Sequence, residues 1–286
     1  MVSFSAMVGA HSTGGRGFRP AAWLGSALLL AVLASVPTIT AAAAPVVAAA
    51  SAPPANAHWL EVESRIESGY FQQDAAGLEA LAATLPDDPT EGAQDTSTRK
   101  WRSYYGALLA YRLALLARNN EERAWLAAQR CIDRLNRALV IDTGSAEALA
   151  LQSACLALQS HLDAWRSPLA APLSLARIDK ALTLAPHNPR VLLLGALAAR
   201  DRPRLFGGDT EQAFSLLQRA VSAFERQRGQ ARGLPGWGAA DAFTDLAQDY
   251  LARGEAVAAR NVLERALLVA PDFSQARQLM AEIVSG

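Results

Sequence analysis

The stretch AADAFTDLAQDYLARGEAVAARNVLERALLVAPD, residues 239–272, constrains this chain more than any other. Phe243, Leu246 and Tyr250 recur every three or four residues, which puts them on one face of a helix. Gly254 follows at the point where a helix ends in a left-handed residue. A second apolar stripe through Ala259, Leu263 and Ala266 then runs to Pro271, which cannot continue a helix. Ala247 and Ala259 are small enough to let the two helices approach closely, while the larger residues fill the seam. This is the pattern of one antiparallel helix pair.

Looser copies recur along the chain. IDKALTLAPHNP repeats the end of the second helix with Ala181 and Pro186, and LNRALVIDTGSAEA repeats it with Ala138 and Thr143 in the proline's place. EQAFSLLQRAVSAF carries Ala213, Leu217 and Ala220 at matching positions. TSTRKWRSYYGALLAYRLALLA reads as a long first helix with Trp101 and Leu108 in the seam, although Tyr105 stands where a small residue is expected. HWLEVESRIESGYFQQDAAGLEALAATL reads as a degenerate leading pair, and SQARQLMAEIVSG as a terminal cap. A polar linker, PDDPTEGAQD, separates the first pair from the second. Internal repeats of this kind stack into solenoids.

The residues of 239–272 resemble the tetratricopeptide repeat (TPR). The resemblance implies an all-α, right-handed superhelical solenoid of antiparallel helix pairs, with about five pairs and a cap. It also implies a concave groove lined by the first helix of each pair. The matching positions are Arg190, Leu193, Leu197, Arg200 and Asp201 in one unit, and Asp241, Thr244, Gln248, Leu251 and Ala252 in the next. A protein or peptide partner is what such a groove implies. A small ligand in an apolar pocket inside the superhelix is the competing reading, which a closed cavity ringed by Leu and Trp would favour and an open groove would not.

The first 57 residues read differently. Arg16 and Arg19 precede a stretch with no charge from Pro20 to Ala57, rich in Leu and then Ala. A basic n-region, an apolar h-region and small residues describe a secretory signal peptide. Residues 1–57 are therefore expected to be a signal and small-residue segment, and 58–286 the helical domain. An uncleaved membrane anchor is the alternative, disfavoured because the Leu-rich core covers only residues 24–35.

Composition excludes more than it assigns. Lys+Arg and Asp+Glu number 27 each, which argues against nucleic-acid binding. His11, His58, His161 and His187 show no metal-ligand spacing, so no metal or cofactor is expected. No nucleophile or nucleotide motif appears, and catalysis is not expected. Cys131 and Cys155 sit at equal heights about a turn near Asp142–Gly144. Cys131 holds a position that faces its own partner helix, and packed helices lie roughly 8–10 Å apart. Buried free thiols are the expectation.

One stretch, RDRPRLFGGDTEQA (200–213), invites a phosphate-loop reading, but it lacks the lysine and hydroxyl that loop needs. It reads better as a joint: Pro203 breaks a helix, Gly207 and Gly208 turn the chain, Asp209 caps the next helix with Gln212 completing a capping box, and Phe206 packs beneath. It resembles a Phe-Gly-Gly joint of exported bacterial TPR proteins, which carries no assigned activity. Arg200, Arg202 and Arg204 then form either a solvated face or, less simply, an anion or carboxylate contact at the solenoid rim.

Overall fold

Six of the helices start at a side chain that accepts a hydrogen bond from a backbone N–H of its own first turn. Asp74, Asp95, Asn120, Ser145, Asn188 and Asp209 do this for the N–H groups of Gly77, Thr98, Arg123, Ala148, Val191 and Gln212. Each such cap stabilises a helix by about 1 kcal/mol. In the computed structural model, residues 56–85, 95–202, 208–228 and 233–285 are described. The chain divides after Ala50, and all described residues belong to the second unit, Ser51–Gly286.

The described residues form eleven helices and no strand. They pair as α1 (Ala57–Phe71) with α2 (Ala75–Ala83), α3 (Thr96–Leu116) with α4 (Glu121–Ile141), and α5 (Ala146–Leu162) with α6 (Ala170–Leu184). Next come α7 (Pro189–Asp201) with α8 (Thr210–Gln227), α9 (Ala239–Ala252) with α10 (Ala256–Val269), and the cap α11 (Ser274–Ser285). Successive pairs pack side by side, the TPR-like arrangement read from the sequence. At the best-matched pair, Ala247 and Ala259 are both fully buried, and Gly254 ends α9 with φ +76°. Tyr250 reaches beyond its own pair, its ring meeting Phe214 of α8 edge-on at 5.4 Å.

Tyr105, the departure from the repeat, is accommodated by a shift of roles within α3. It is fully buried, stacked on Trp59 of α1 at 5.8 Å. The close approach passes to Gly106, where an added Cβ would collide with the Arg134 guanidinium of α4.

Two expectations are corrected. Cys131 and Cys155 form a disulfide between α4 and α5, with Cα atoms 6.3 Å apart. Buried alanines such as Ala124, Ala128 and Ala150 bring these helices inside the usual helix spacing, and Cys131 faces the following pair. For Arg200 the solvated-face reading gives way to the carboxylate contact, made within the chain. Arg200 is half-buried and bonded to Asp245 at 3.1 Å, with Asp249 at 3.7 Å, both on α9. Of the joint, Asp209 caps α8 as read, but its own N–H donates to the Ala199 carbonyl at 3.2 Å and not to Gln212, so the capping box is not completed; Pro203, Arg204, Phe206 and Gly207 lie outside the described residues, as does the linker before Asp95.

The solenoid comes round on itself. Phe273, ahead of α11, packs on Phe71 at the end of α1, with ring centroids 4.4 Å apart. Beside it, Gln73 donates to the Ser274 hydroxyl at 2.9 Å. First and last elements therefore touch, and the inner surface belongs to a ring instead of an open trough.

Candidate functional site

The inner helices α1, α3, α5, α7 and α9 face the ring's centre. Arg112 on α3 is the hub. Its guanidinium is 2% exposed, and it donates to both carboxylate oxygens of Glu67 on α1 and of Asp241 on α9, at 2.8–3.0 Å. The Tyr70 ring lies 4.0 Å below it. One cation thus ties the first, second and last pairs. Burial outweighs the attraction of Arg112 at Glu67, with Asp241 nearby adding to the rise, and the Glu67 carboxyl is pushed up to about 7.

The loop before α9 supplies a plug. Trp237 is buried and its indole N–H donates to the Tyr104 hydroxyl at 2.9 Å. Glu63 accepts from the Tyr105 hydroxyl and from the Gly236 N–H, each at 2.8 Å. Burial raises the Glu63 carboxyl above the usual range despite both donors. Gly238 starts α9 with φ +99°, a conformation that favours glycine.

Two concavities flank this plug. The inner pocket has a volume of ≈ 410 Å³. Its apolar wall comes from α3, α5 and α7, through Leu115, Leu116, Leu158, Leu193 and Leu197. Its polar wall comes from α9 and α11, through Thr244, Asp245, Gln248, Gln275 and Gln278. Trp237 and Arg112 are at its base, while the exposed side chains Arg118, His161 and Asp201 mark its mouth at the C-terminal ends of α3, α5 and α7. Asp245 is pushed up to about 6, because burial exceeds the pull of Arg200. A wider groove of ≈ 1110 Å³ runs along α1 where it faces the ends of α8 and α10, with Phe224, Leu268 and Val269 among its walls.

Seven of the sequence-read groove residues come together in the inner pocket: Leu193, Leu197, Arg200, Asp201, Asp241, Thr244 and Gln248. Arg190 lies elsewhere. It is buried, bonded to Glu147 at 2.8 Å, and forms part of the wider groove. Leu251 lines neither concavity and packs, half-buried, against the core, while Ala252 is exposed. Sequence reading missed Arg112, Glu67 and Trp237. The signal for Arg112 was a single charge inside the apolar run GALLAYRLALLA, and for Trp237 the loop LPGWGAA. Among the described residues, no three His, Cys, Asp or Glu side chains converge to hold a metal ion.

No family model matches the chain, and no curated protein matches it. Solved structures do. The HusA haemophore from Porphyromonas gingivalis is 19% identical with a TM-score of 0.54, covering 70% of this chain and 96% of its own. A thermophilic TPR protein from Thermus thermophilus is 15% identical with a TM-score of 0.49, covering 81% of this chain and all of its own. At such identities the likeness is one of fold.

Proposed function

We propose that this is a binding protein, exported to the cell envelope, that receives a short amphiphilic ligand in its inner pocket, and that it is not an enzyme. The observation that carries the reading is the closed ring with Trp237 across its centre. An extended chain cannot thread a ring plugged on one side. A compact occupant fits a blind pocket with one apolar and one polar wall. The pocket's charged groups are largely engaged with one another, as Arg112 is with Asp241 and Arg200 with Asp245, which suits orientation of a ligand more than acid–base chemistry. The similarly folded HusA is a haemophore, which is in keeping with ligand capture by such a fold. Export rests on the uncharged stretch from Pro20 to Ala57.

Capture of a protein or peptide partner is the second reading. The wider groove along α1 favours it, because it is long and carries the exposed side chains of Leu268 and Val269.

The test is binding of a fluorescent anilinonaphthalene probe to the purified protein. Saturable binding should weaken at least tenfold in Leu197→Glu, which places a charge on the apolar wall, and should survive Leu268→Glu. Equal affinity in wild type and Leu197→Glu would reject the pocket. Loss only in Leu268→Glu would shift the reading to the wider groove.

A further inference from the structure

The edge of the ring at the inner pocket's mouth carries an apolar tip that the pocket does not use. The turn between α5 and α6 projects Trp165, 97% exposed, followed by Leu169 at 68% and Leu173 at 44%. Leu126, early in α4, is exposed at the same edge, and Arg166 of the tip bridges to Glu122 at the start of α4 at 2.7 Å. A side chain as exposed as Trp165 projects from the surface. A protrusion of Trp and Leu fits a soft surface that can close around it, whereas a protein partner would require a matching pocket.

Charge at this edge is mixed: Glu121 and Glu122 are exposed, Asp163 is half-buried in the turn, and Glu122 pairs with Arg166, while further cations lie one turn behind the tip. Arg130 and Arg177 stand four residues beyond Leu126 and Leu173, so each cation sits one helical turn, about 6 Å, behind an exposed leucine. With the leucines among acyl chains, those arginines would meet lipid headgroups. Arg130, Arg177 and Arg118 of the neighbouring turn form no ion pair among the described residues. Trp is the side chain that bilayer interfaces favour most, its indole N–H staying at headgroup level.

We propose that the protein docks peripherally on an anionic phospholipid bilayer through the Trp165–Leu169–Leu173 tip with Leu126, which sets the mouth of the inner pocket against the membrane. No described helix is long and apolar enough to cross a membrane, so this contact is one of surface insertion. The proposal does not depend on what the pocket holds.

Flotation with vesicles tests it, using phosphatidylcholine alone and phosphatidylcholine mixed with phosphatidylglycerol. The full chain is used, and then the Ser51–Gly286 unit, which contains the whole described core and lacks the apolar stretch near residue 30. Both should float with the anionic vesicles. Trp165→Ala combined with Leu169→Ser should weaken partitioning of the unit about tenfold or more with an unchanged melting temperature. Arg130→Glu with Arg177→Glu should weaken it on the mixed vesicles and little on the neutral ones. Val284→Ser, at an exposed apolar site in α11, should change nothing. The proposal fails if the unit stays unbound on both compositions, if the tip variant floats like wild type, or if the tip instead drives a concentration-dependent dimer in sedimentation velocity without binding vesicles.

Discussion

At the scale of the residue, Arg112 shows how a buried charge is made tolerable. Two carboxylates from different helices and an aromatic face surround it, so removing the cation strands Glu67 and Asp241 without a partner. Arg112→Met is expected to cost about 3–5 kcal/mol, measured by urea unfolding. Glu67 sets a pH dependence. Its folded value of about 7 and the value of about 6 at Asp245 both lie above those of the unfolded chain. Between about pH 4 and pH 7 the folded state then holds more protons than the unfolded one, so these groups' stabilisation is complete below pH 4 and lost as pH rises through 6 and 7. The melting temperature should therefore fall between pH 5 and pH 7.5, and Glu67→Gln, which keeps an acceptor for Arg112, should flatten that fall. Elsewhere small size is what matters: Ala259→Leu should overpack the α9–α10 seam and cost roughly 1–3 kcal/mol, read from thermal melts.

At the scale of the element, the joints between helices carry as much information as the helices. Gly238 opens α9 at φ +99°, and a Cβ there would lie 3.2 Å from Cζ of Phe224. Gly238→Val should destabilise the protein by roughly 1–3 kcal/mol and, because it shifts the neighbouring Trp237, should also alter probe binding in the inner pocket. The disulfide links α4 to α5, which belong to different helix pairs, and closes a loop with a sequence separation of 24 residues. Reducing it should lower stability by about 3 kcal/mol. Hydrogen exchange would show the loss concentrated where those two pairs meet, whereas a uniform loss would argue against a local brace.

At the scale of the whole molecule, closure of the ring separates this protein from an open solenoid, where each pair touches only its neighbours. Phe273 against Phe71, Gln73 against Ser274 and Arg112 between Glu67 and Asp241 join residues far apart in sequence. Phe273→Ala should cost about 3–5 kcal/mol. It should also enlarge the radius of gyration by small-angle scattering, since the first and last pairs lose their contact. An unchanged radius would mean that the polar bonds alone hold the seam.

The helix pairs were legible along the chain, because each depends on short-range facts: Ala247 and Ala259 at a close approach, Gly254 in a left-handed turn, and Asp209 or Asn188 at a helix start. Most of the inner surface was also legible, since Leu193, Leu197, Arg200, Asp201, Asp241, Thr244 and Gln248 hold first-helix positions that line a concave side. The rest depends on contacts between helices far apart in the chain. Arg190 and Leu251 occupy groove positions of the repeat but are claimed by Glu147 and by the core. The Cys131–Cys155 bond depends on an interhelical distance, set by alanines on both helices, that spacing along one chain does not fix. The closed ring depends on small rotations between pairs that accumulate until Phe71 meets Phe273. Those rotations arise from packing at every seam at once, and no single stretch of sequence encodes them.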